Sequence, residues 1–337
     1  MSAQNGVMVF IEQNDGQVAE VSLELLSKAR ELAGTLSVPV EAVALGHNLQ
    51  SELQKLGEYG CARVYSVDHP GLAHFTSLPY ARTVAGIIQE TDPQICLFGA
   101  TTTGRDLAPR IASQLQCGLT ADCTDLQIGE YKQKGKVYDQ TLLQIRPAFG
   151  GNIIATIVSP ESRPSMATVR EGVMSRKVLS EPQPVEVIEK SCPVEDHEFM
   201  TEVLEVVREE KAVDLKGAKI IVSAGMGAAS PEALVQVREL ASVLGGVVGA
   251  SRPMVDSGLL VKDHQVGQTG TTVRPNLYIA CGISGQIQHR AGMAESKRII
   301  AINADPDAPI FEFAHYGIVG DVLEVVPKMI KAYKEKA

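Results

Sequence analysis

The chain has 337 residues, enough for about two domains that each bury a core, and its 45% hydrophobic and 21% charged residues are ordinary for a globular protein. Its formal net charge of −9 argues against a nucleic-acid groove, because phosphate binding requires a basic face. No segment has the pattern of a signal peptide, a transit peptide or a membrane span of ~18 apolar residues, so the sequence predicts a cytoplasmic protein without membrane insertion.

Strand-like and helix-like segments alternate in the first part of the chain. This alternation predicts βαβ units and a mainly parallel sheet that is covered on both faces. Short strands separated by turns then occupy residues 122–169, which predicts an added antiparallel extension. Strands are predicted at residues 7–11, 40–45, 62–67 and 95–99, and helices at residues 18–36, 51–56 and 81–88.

Residues 181–216 are rich in proline and charge and are predicted to include the crossing between two domains. We place the boundary near Arg208. This gives an N-terminal α/β domain over residues 1–207 and a second α/β domain over residues 208–337.

The second domain is predicted to begin with a strand at residues 219–223 and a turn at residues 224–227. Ser230 is suited to cap the helix that follows. Strands are predicted at residues 247–250 and 298–303, and a final helix is predicted to begin near Pro327.

The six cysteines form no Cys-x-x-Cys pair, and several lie in apolar runs. They are predicted to be buried thiols of a reducing compartment rather than disulfides. The seven histidines show no metal-ligand spacing, so no metal centre is predicted.

The segment "IIVSAGMGAAS", residues 220–230, has the pattern of a strand, a Gly-x-Gly turn and a helix. Such a turn receives a phosphate on its backbone N–H groups. However, Ser230 stands where the dinucleotide fingerprint has its third glycine, and Ser251-Arg252 stand where an acid would bind a ribose. Nucleotide binding and a plain tight turn both remain open.

The segment "GATTTGRDLAPR", residues 99–110, follows a predicted strand and therefore lies at the carboxyl edge of the sheet. Its threonines could contact a ligand or cap the next helix. We favour the helix cap.

Two loops rich in glycine and hydroxyl groups flank the apolar run at residues 277–281. They are Gly267-Gln268-Thr269-Gly270 and Gly282-Ile283-Ser284-Gly285, and Gln286, Gln288 and His289 follow the second. Glycine permits a close approach of the backbone, and the side chains offer donors and acceptors without a strong acid or base. This set favours recognition of a polar heteroaromatic ring and its phosphates, and no catalytic residue is predicted. His289 alone could be a core histidine with satisfied hydrogen bonds, but beside the two loops we favour a ligand contact.

The motifs "QVGQTG", "LYIACGISG", "IQH", "AIN" and "DAPIF", in this order, resemble the alpha subunit of electron transfer flavoprotein. "GRDLAPR" and "GLTADCT" extend the resemblance into the first domain. The resemblance implies a heterodimer with a beta subunit and a doubly wound C-terminal domain that binds FAD.

Carried over by motif, the resemblance implies three groups of FAD contacts. Ser251, Arg252 and residues 266–270 would meet the flavin and its ribityl-phosphate chain, residues 284–289 the flavin and pyrophosphate, and residues 303, 321 and 322 the adenosine end. Met226 replaces an arginine usual in the family, which removes a charge contact to phosphate. The implied set is Ser251, Arg252, Val266, Gly267, Gln268, Thr269, Gly270, Ser284, Gly285, Gln286, Ile287, Gln288, His289, Asn303, Asp321 and Val322.

"GLTADCT", "RPSMATVREGVM" and "TGTTVRP" resemble the anaerobic bacterial branch, whose members often bifurcate electrons. In such systems a second FAD in the beta subunit receives electrons from NADH. One electron goes to ferredoxin or flavodoxin, and the other passes through the alpha-subunit FAD to an acyl-CoA dehydrogenase. Arg146, in "LQIRPAFGG", is a candidate contact to that second flavin, although a surface arginine in a hairpin remains an alternative.

Other functions also remain open at this point. The chain could be a carrier that takes electrons from an acyl-CoA dehydrogenase without bifurcation. Arg252 follows a strand where a 2′-phosphate could bind, so an NADP-binding oxidoreductase domain is a further alternative. A nucleotide-binding regulatory module without redox activity is the last.

Overall fold

The computed structural model describes residues 6–148, 153–207 and 212–335. The chain divides into two compact units, the first ending at Val206 and the second beginning at Val207. The predicted boundary at Arg208 lies outside the described residues. As predicted, both units are α/β structures built on parallel sheets.

The first unit contains a seven-stranded sheet whose pairs are all parallel. Its strands are β1 (Val7–Ile11), β4 (Val40–Gly46), β5 (Arg63–Asp68), β6 (Ile95–Gly99), β7 (Leu119–Cys123), β11 (Ser165–Val169) and β12 (Glu186–Glu189). They are ordered β12-β5-β4-β1-β6-β11-β7, so the direction of winding reverses between β1 and β6. The helices are α1 (Glu20–Leu36), α2 (Gln50–Leu53), α3 (Ser77–Thr91) and α4 (Thr102–Leu115).

Alternate residues of β1 face two separate cores, because successive side chains of a strand point to opposite faces. Val7, Val9 and Ile11 pack in a cluster with residues of α1. Met8 and Phe10 pack with residues of α3 and α4 on the other face. The central strands are therefore buried on both sides, as expected for a parallel sheet.

The predicted antiparallel extension is confirmed in part. β8 (Asp125–Gln133), β9 (Lys136–Ala148) and β10 (Ile153–Ile157) form a three-stranded antiparallel sheet, and β2 (Gln13–Asn14) and β3 (Gln17–Val18) form a small hairpin. The same prediction was wrong for β11, which is a parallel strand of the main sheet. Four of its five residues are buried, so it is a central strand rather than a surface hairpin. β12 likewise pairs with β5, although its sequence lies in the segment predicted to cross between domains.

The Thr101 side chain confirms the helix-cap interpretation of the "GATTTG" segment. Its Oγ1 accepts a hydrogen bond from the backbone N–H of Gly104 at 2.9 Å, which caps α4. The same hydroxyl donates to Oε2 of Glu12 at 2.6 Å. The carboxylate of Glu12 thus lies near the start of α4, where the winding of the sheet reverses.

The second unit contains a five-stranded parallel sheet. Its elements are β13 (Ile220–Ala224), α5 (Pro231–Val243), β14 (Val247–Ala250), α6 (Arg252–Asp256), β15 (Leu277–Cys281), α7 (Ile287–Met293), β16 (Ile299–Asn303), β17 (Tyr316–Val319) and α8 (Val322–Lys334). The strands are ordered β14-β13-β15-β16-β17, so the winding reverses between β13 and β15. In doubly wound sheets, ligands bind at the carboxyl ends of strands at such a point.

The prediction that the final helix begins near Pro327 was wrong, because α8 begins at Val322. Asp321 caps it, and its Oδ1 accepts from the N–H of Leu323 at 2.7 Å. Pro327 therefore lies inside the helix. Ser230 caps α5 as predicted, since its Oγ accepts from the N–H of Ala233 at 3.1 Å.

The six cysteines are free thiols, and Cys61, Cys96, Cys123 and Cys281 are buried. Burial raises the pKa of Cys281 to about 12, so this thiol is not nucleophilic at neutral pH. Within the described ranges, no helix combines the length and apolar character needed to cross a membrane. No group of three or more His, Cys, Asp or Glu side chains among these same residues is arranged to hold a metal ion.

Candidate functional site

The candidate site lies at the carboxyl ends of β13 and β15, which are neighbouring parallel strands. The turn after β13 packs directly on the loop after β15. The N–H of Gly225 donates to the carbonyl of Cys281 at 2.8 Å, and that of Gly227 donates to the carbonyl of Gly282 at 3.0 Å. Both glycine N–H groups are therefore committed to the loop, which favours the tight-turn interpretation of Gly-x-Gly over a phosphate contact at these two amides.

Three segments that were predicted to contact a flavin come together beside this turn. The N–H of Val266 donates to the carbonyl of Ala250 at 2.9 Å, which joins the loop at residues 266–270 to the end of β14. The N–H of Gln268 donates to the carbonyl of Gln288 at 2.7 Å, which joins the same loop to α7. We call residues 251, 252, 266–270 and 284–289 the ring cluster.

The ring cluster presents most of its polar side chains to the surface, whereas two of its glycines, Gly267 and Gly285, are buried. Gly285 is buried with φ +87°, and a Cβ atom there would clash with the backbone of Ile310. Only glycine adopts this conformation without strain at such close packing. The exposed polar residues are Gln268, Thr269, Ser284, Gln286 and Gln288.

His289 is a buried polar residue of the ring cluster, as is Ser251, and 8% of its surface is exposed. Its Nε2 lies 2.9 Å from the hydroxyl of Tyr278. Its Nδ1 is buried and has no hydrogen-bond partner of good geometry within the part of the chain that the structure describes. Burial lowers the pKa of His289 to about 4, although a weaker interaction with the backbone of Val266 acts in the opposite direction. The imidazole is therefore neutral at pH 7.

An unpaired buried nitrogen costs stability unless a ligand supplies the missing partner. The Nδ1 atom of His289 is such a nitrogen, and it lies in a cluster that also exposes amide and hydroxyl side chains. The residues present therefore fit a polar ring that brings its own hydrogen-bonding atoms.

Arg252 begins α6 directly after the end of β14. Its side chain is 63% exposed, and its Nε lies 3.3 Å from Oδ2 of Asp256 one helical turn later. The structure thus places a permanent positive charge in the ring cluster, with a carboxylate beside it.

Asn303, Asp321 and Val322 lie together at the ends of β16 and β17. Nδ2 of Asn303 donates to the carbonyl of Ile283 at 2.9 Å, and its own carbonyl accepts from the N–H of Gly320 at 2.9 Å. Asp321 is exposed, whereas the side chain of Val322 is 2% exposed and belongs to the core. Only the backbone of Val322 could therefore meet a ligand.

Two other residues that the sequence analysis singled out, Met226 and Arg146, lie outside the ring cluster. Met226 is 52% exposed in the turn after β13 and carries no charge. Arg146 lies on β9 in the first unit, outside the ring cluster. It is half-buried, and neither an ion pair nor a hydrogen bond joins its side chain to another residue that the structure describes.

Sequence reasoning missed Tyr278 and Asp256, which contact His289 and Arg252. A tyrosine in the otherwise apolar strand "LYIAC" was the available signal, because a buried phenol hydroxyl requires a partner. Asp256 follows Arg252 at the i,i+4 spacing of a helical ion pair.

Two family models match the chain. The electron transfer flavoprotein domain matches residues 7–195, and the electron transfer flavoprotein FAD-binding domain matches residues 214–294. The first model covers most of the first unit, and the second covers the ring cluster.

Curated relatives match nearly the whole chain. The electron transfer flavoprotein subunit alpha of Thermoanaerobacterium thermosaccharolyticum is 48% identical over 336 residues, covering 99% of each chain. The acryloyl-CoA reductase electron transfer subunit beta of Anaerotignum propionicum is 43% identical, covering 98% of this chain and 95% of the relative. The lactate dehydrogenase (NAD(+),ferredoxin) subunit LctC of Acetobacterium woodii is 41% identical, covering 98% of this chain and 77% of the relative.

Proposed function

The chain belongs to the electron transfer flavoprotein alpha-subunit family and its FAD-binding domain lies in the second unit, and on this premise we propose that it carries electrons through a flavin held by the ring cluster. The electrons pass between a beta-subunit site that NADH reduces and an acyl-CoA dehydrogenase, in the cytoplasm. The observation that carries the proposal is the buried, unpaired Nδ1 of His289 among exposed amide and hydroxyl groups.

The residues of the ring cluster have separate roles in this proposal. When bound, FAD supplies a centre that accepts and releases electrons one or two at a time. His289, whose buried Nδ1 has no partner among the described residues, would donate to a ring carbonyl oxygen, and the guanidinium of Arg252 would supply positive charge to the ring. Thr269 and Gln268 offer hydrogen bonds to the ring and its ribityl chain. The closely packed backbone at Gly285 holds the following residues Gln286 and Gln288 at the pyrophosphate.

The adenosine end is assigned to Asn303, Asp321 and the backbone of Val322. The carboxylate of Asp321 is exposed and is suited to accept hydrogen bonds from ribose hydroxyl groups. Met226 carries no charge where the family usually has an arginine at phosphate, so FAD binding should depend only weakly on salt concentration at that phosphate contact.

The cofactor assignment is tested on the chain purified with its beta subunit. We expect a flavin absorption band and one FAD in the alpha-subunit site, lost in part when His289 is replaced by glutamine. A colourless preparation that binds nicotinamide nucleotides would instead support the NADP-binding alternative. The carboxylate of Asp256 beside Arg252 disfavours that alternative, because it would repel a 2′-phosphate.

We further propose that the complex bifurcates electrons, with ferredoxin or flavodoxin as the second acceptor. Relatives named as subunits of a lactate dehydrogenase that uses NAD(+) and ferredoxin and of an acryloyl-CoA reductase support this proposal. We expect sluggish NADH oxidation with one acceptor and coupled reduction when ferredoxin and an acyl-CoA dehydrogenase with its enoyl-CoA substrate are both present. Transfer from NADH to the dehydrogenase without any ferredoxin requirement would reduce the protein to a non-bifurcating carrier.

Arg146 is assigned to the beta-subunit flavin in the same proposal. A half-buried guanidinium without an ion pair to another described residue is available to an anionic partner group. Replacing Arg146 by glutamine should slow reduction by NADH while the FAD content of the alpha subunit stays unchanged. Arg163, which is half exposed and pairs with Asp92, offers a control substitution in the same unit.

The beta subunit is proposed to cover the antiparallel sheet of the first unit. β10 is an edge strand whose Ile153 and Ile154 side chains are 53% and 72% exposed. Such a strand favours association with another chain. We expect the alpha chain expressed alone to be poorly soluble or to retain FAD weakly, and a stable, monomeric, fully flavinated alpha chain would contradict this expectation.

A further inference from the structure

We propose that Tyr278 is a positioning residue for the redox site: its hydroxyl donates to Nε2 of His289 and thereby fixes the proton of the neutral imidazole on Nδ1. The inference rests on the proposed function, because it concerns the nitrogen that His289 offers to the flavin. It assigns a role to a residue that lies behind the site and does not touch the cofactor.

The contact between the two side chains is made through the hydroxyl. The distance from Tyr278 Oη to His289 Nε2 is 2.9 Å, whereas the ring centroids are 6.1 Å apart and tilted by 59°. Tyr278 lies on β15 and is 0% exposed. Water therefore does not compete with this hydrogen bond, and the low dielectric around it strengthens the interaction.

Both partners hold a single protonation state at neutral pH. Burial raises the pKa of Tyr278, so the phenol keeps its proton. Burial lowers the pKa of His289 to about 4, so the imidazole is neutral and carries one proton on one of its two nitrogens. Either Tyr278 donates to Nε2 and the imidazole proton is on Nδ1, or Nε2 donates to Tyr278 and Nδ1 is bare.

The relative donor and acceptor strengths of the two side chains select the first arrangement. A phenol hydroxyl is a stronger hydrogen-bond donor than an imidazole N–H, and an unprotonated imidazole nitrogen is a stronger acceptor than a phenol oxygen. The neutral pair therefore favours donation from the Tyr278 hydroxyl to Nε2 of His289 across the 2.9 Å contact. The imidazole proton then lies on Nδ1, the nitrogen that has no hydrogen-bond partner within the described part of the chain.

The hydroxyl of Tyr278 orients His289 and does not conduct protons. Tyr278 is 0% exposed, and the side chain of Ser223, also 0% exposed, has no hydrogen-bond partner within the described ranges. A proton relay requires an exit to solvent or to another titratable group, and Ser223 provides neither.

The position of the proton matters for the bound ring. With the proton on Nδ1, His289 donates to a carbonyl oxygen of the flavin. With the proton on Nε2, a nitrogen lone pair would face that oxygen, and both acceptors would remain unsatisfied. Loss of one such hydrogen bond corresponds to about a three- to tenfold weaker FAD affinity.

The test begins with the wild-type complex of the full alpha chain and its beta subunit, with ¹⁵N-labelled histidine. We expect His289 to show a protonated, pyrrole-type Nδ1 and an unprotonated, pyridine-type Nε2 at pH 7. A protonated Nε2 in the wild type would overturn the inference without any variant. This measurement also decides the question if the Tyr278 variant fails to fold, which thermal denaturation would reveal.

Tyr278→Phe then removes the hydroxyl and keeps the ring. We expect a mixture of the two His289 tautomers, FAD affinity about three- to tenfold weaker, and a changed flavin potential. Tyr80→Phe is the matched control, because Tyr80 is also buried and its hydroxyl donates to the carbonyl of Leu72 at 2.6 Å in the first unit. It should leave all three measurements unchanged.

His289→Gln tests the contact of His289 with the flavin separately from the role of Tyr278. If His289→Gln weakens FAD binding while Tyr278→Phe leaves the FAD affinity and the His289 tautomer unchanged, FAD binding by the ring cluster is supported and the role of Tyr278 is refuted. If His289→Gln leaves FAD affinity and potential unchanged, the contact of His289 with the flavin is itself refuted, and the inference fails with it. If both variants weaken FAD binding, and the single His289 tautomer of the wild type becomes a mixture in Tyr278→Phe, the inference holds.

Discussion

Replacing Arg252 by alanine should lower the first reduction potential of the alpha-site flavin. One-electron reduction adds negative charge to the ring, and a guanidinium remains protonated throughout, so its charge stabilises the reduced state. At ~4 Å and an effective dielectric near 20 this attraction would be about 4 kcal/mol, and in bulk water about 1 kcal/mol.

The surroundings of Arg252 favour the weaker attraction between its guanidinium and the reduced ring. Its side chain is 63% exposed, and the carboxylate of Asp256 lies 3.3 Å from its Nε and offsets part of its charge. Solvent screening of an exposed charge reduces the effect further. We therefore expect about 1–2 kcal/mol, and since a tenfold change in a one-electron equilibrium is ~59 mV, the potential should fall by roughly 40–90 mV.

The assay is a spectroelectrochemical titration of the holo complex after FAD occupancy has been verified. Arg252→Lys should keep part of the effect, and Asp256→Asn should shift the potential in the opposite direction, because it removes the offsetting charge. Arg238→Ala, an exposed arginine on α5, is the matched control. The difference between wild type and Arg252→Ala should shrink as salt is added. An unchanged potential in a fully occupied Arg252→Ala complex would show that this guanidinium is not at the ring.

Three further predictions concern stability. Burial lowers the pKa of His289 from 6.5 to about 4, so between these pH values the unfolded state binds more protons than the folded state, and the free energy of unfolding should fall by about 3 kcal/mol as the pH decreases from 6.5 to 4. Denaturant titrations at several pH values should show a smaller dependence of the unfolding free energy on pH in His289→Gln, and an equal dependence would contradict the burial of a neutral imidazole. Gly285→Ala should lower the free energy of unfolding of the second unit by at least about 1–3 kcal/mol, because it adds a clash with Ile310 to the strain of φ +87°, whereas Gly258→Ala, at φ +75° with open space around it, should show the strain alone. Burial raises the pKa of the Glu12 carboxyl, so ionisation of this carboxyl destabilises the folded state above the unfolded pKa near 4.5. Glu12→Gln should therefore raise the melting temperature at pH 8 but not at pH 4, and a lower melting temperature of the variant at pH 8 would refute the reasoning.

Local patterns were sufficient for the elements whose periodicity is strong. The apolar runs of β1 and β6 and the capping residue Ser230 each predicted the correct structure, because burial and capping act within a few residues of sequence. The predicted start of α8 near Pro327 was wrong, because Asp321 caps a helix that begins at Val322, earlier in the chain than the proline suggested. A proline in the sixth position of a helix is rarer than one in the first turn, and local preference therefore favoured the wrong residue.

Pairing between distant segments could not be read in the same way. β11 and β12 look like parts of an extension and a linker, and only their partners in the main sheet make them central and edge strands. The members of the ring cluster were identified by motif, but their hydrogen bonds were not. Tyr278 reaches His289 because the side chain of Tyr278 points to the face of the sheet on which α7 packs. The spacing of the two residues along the chain does not predict this contact.

The carboxylate of Glu12 has a consequence for how many nucleotides one chain can accept. The first unit has a reversal of winding between β1 and β6, and the N-terminal end of α4 lies at its edge, so its architecture is of the kind that takes up phosphates. The carboxylate of Glu12 already lies at the start of α4, where its Oε2 accepts a hydrogen bond from the capping hydroxyl of Thr101 at 2.6 Å. An incoming phosphate would meet like charge and would have to displace a buried acid. The alpha chain should therefore bind a single equivalent of FAD even at high cofactor concentration, because the carboxylate of Glu12 excludes a second phosphate group from the first unit.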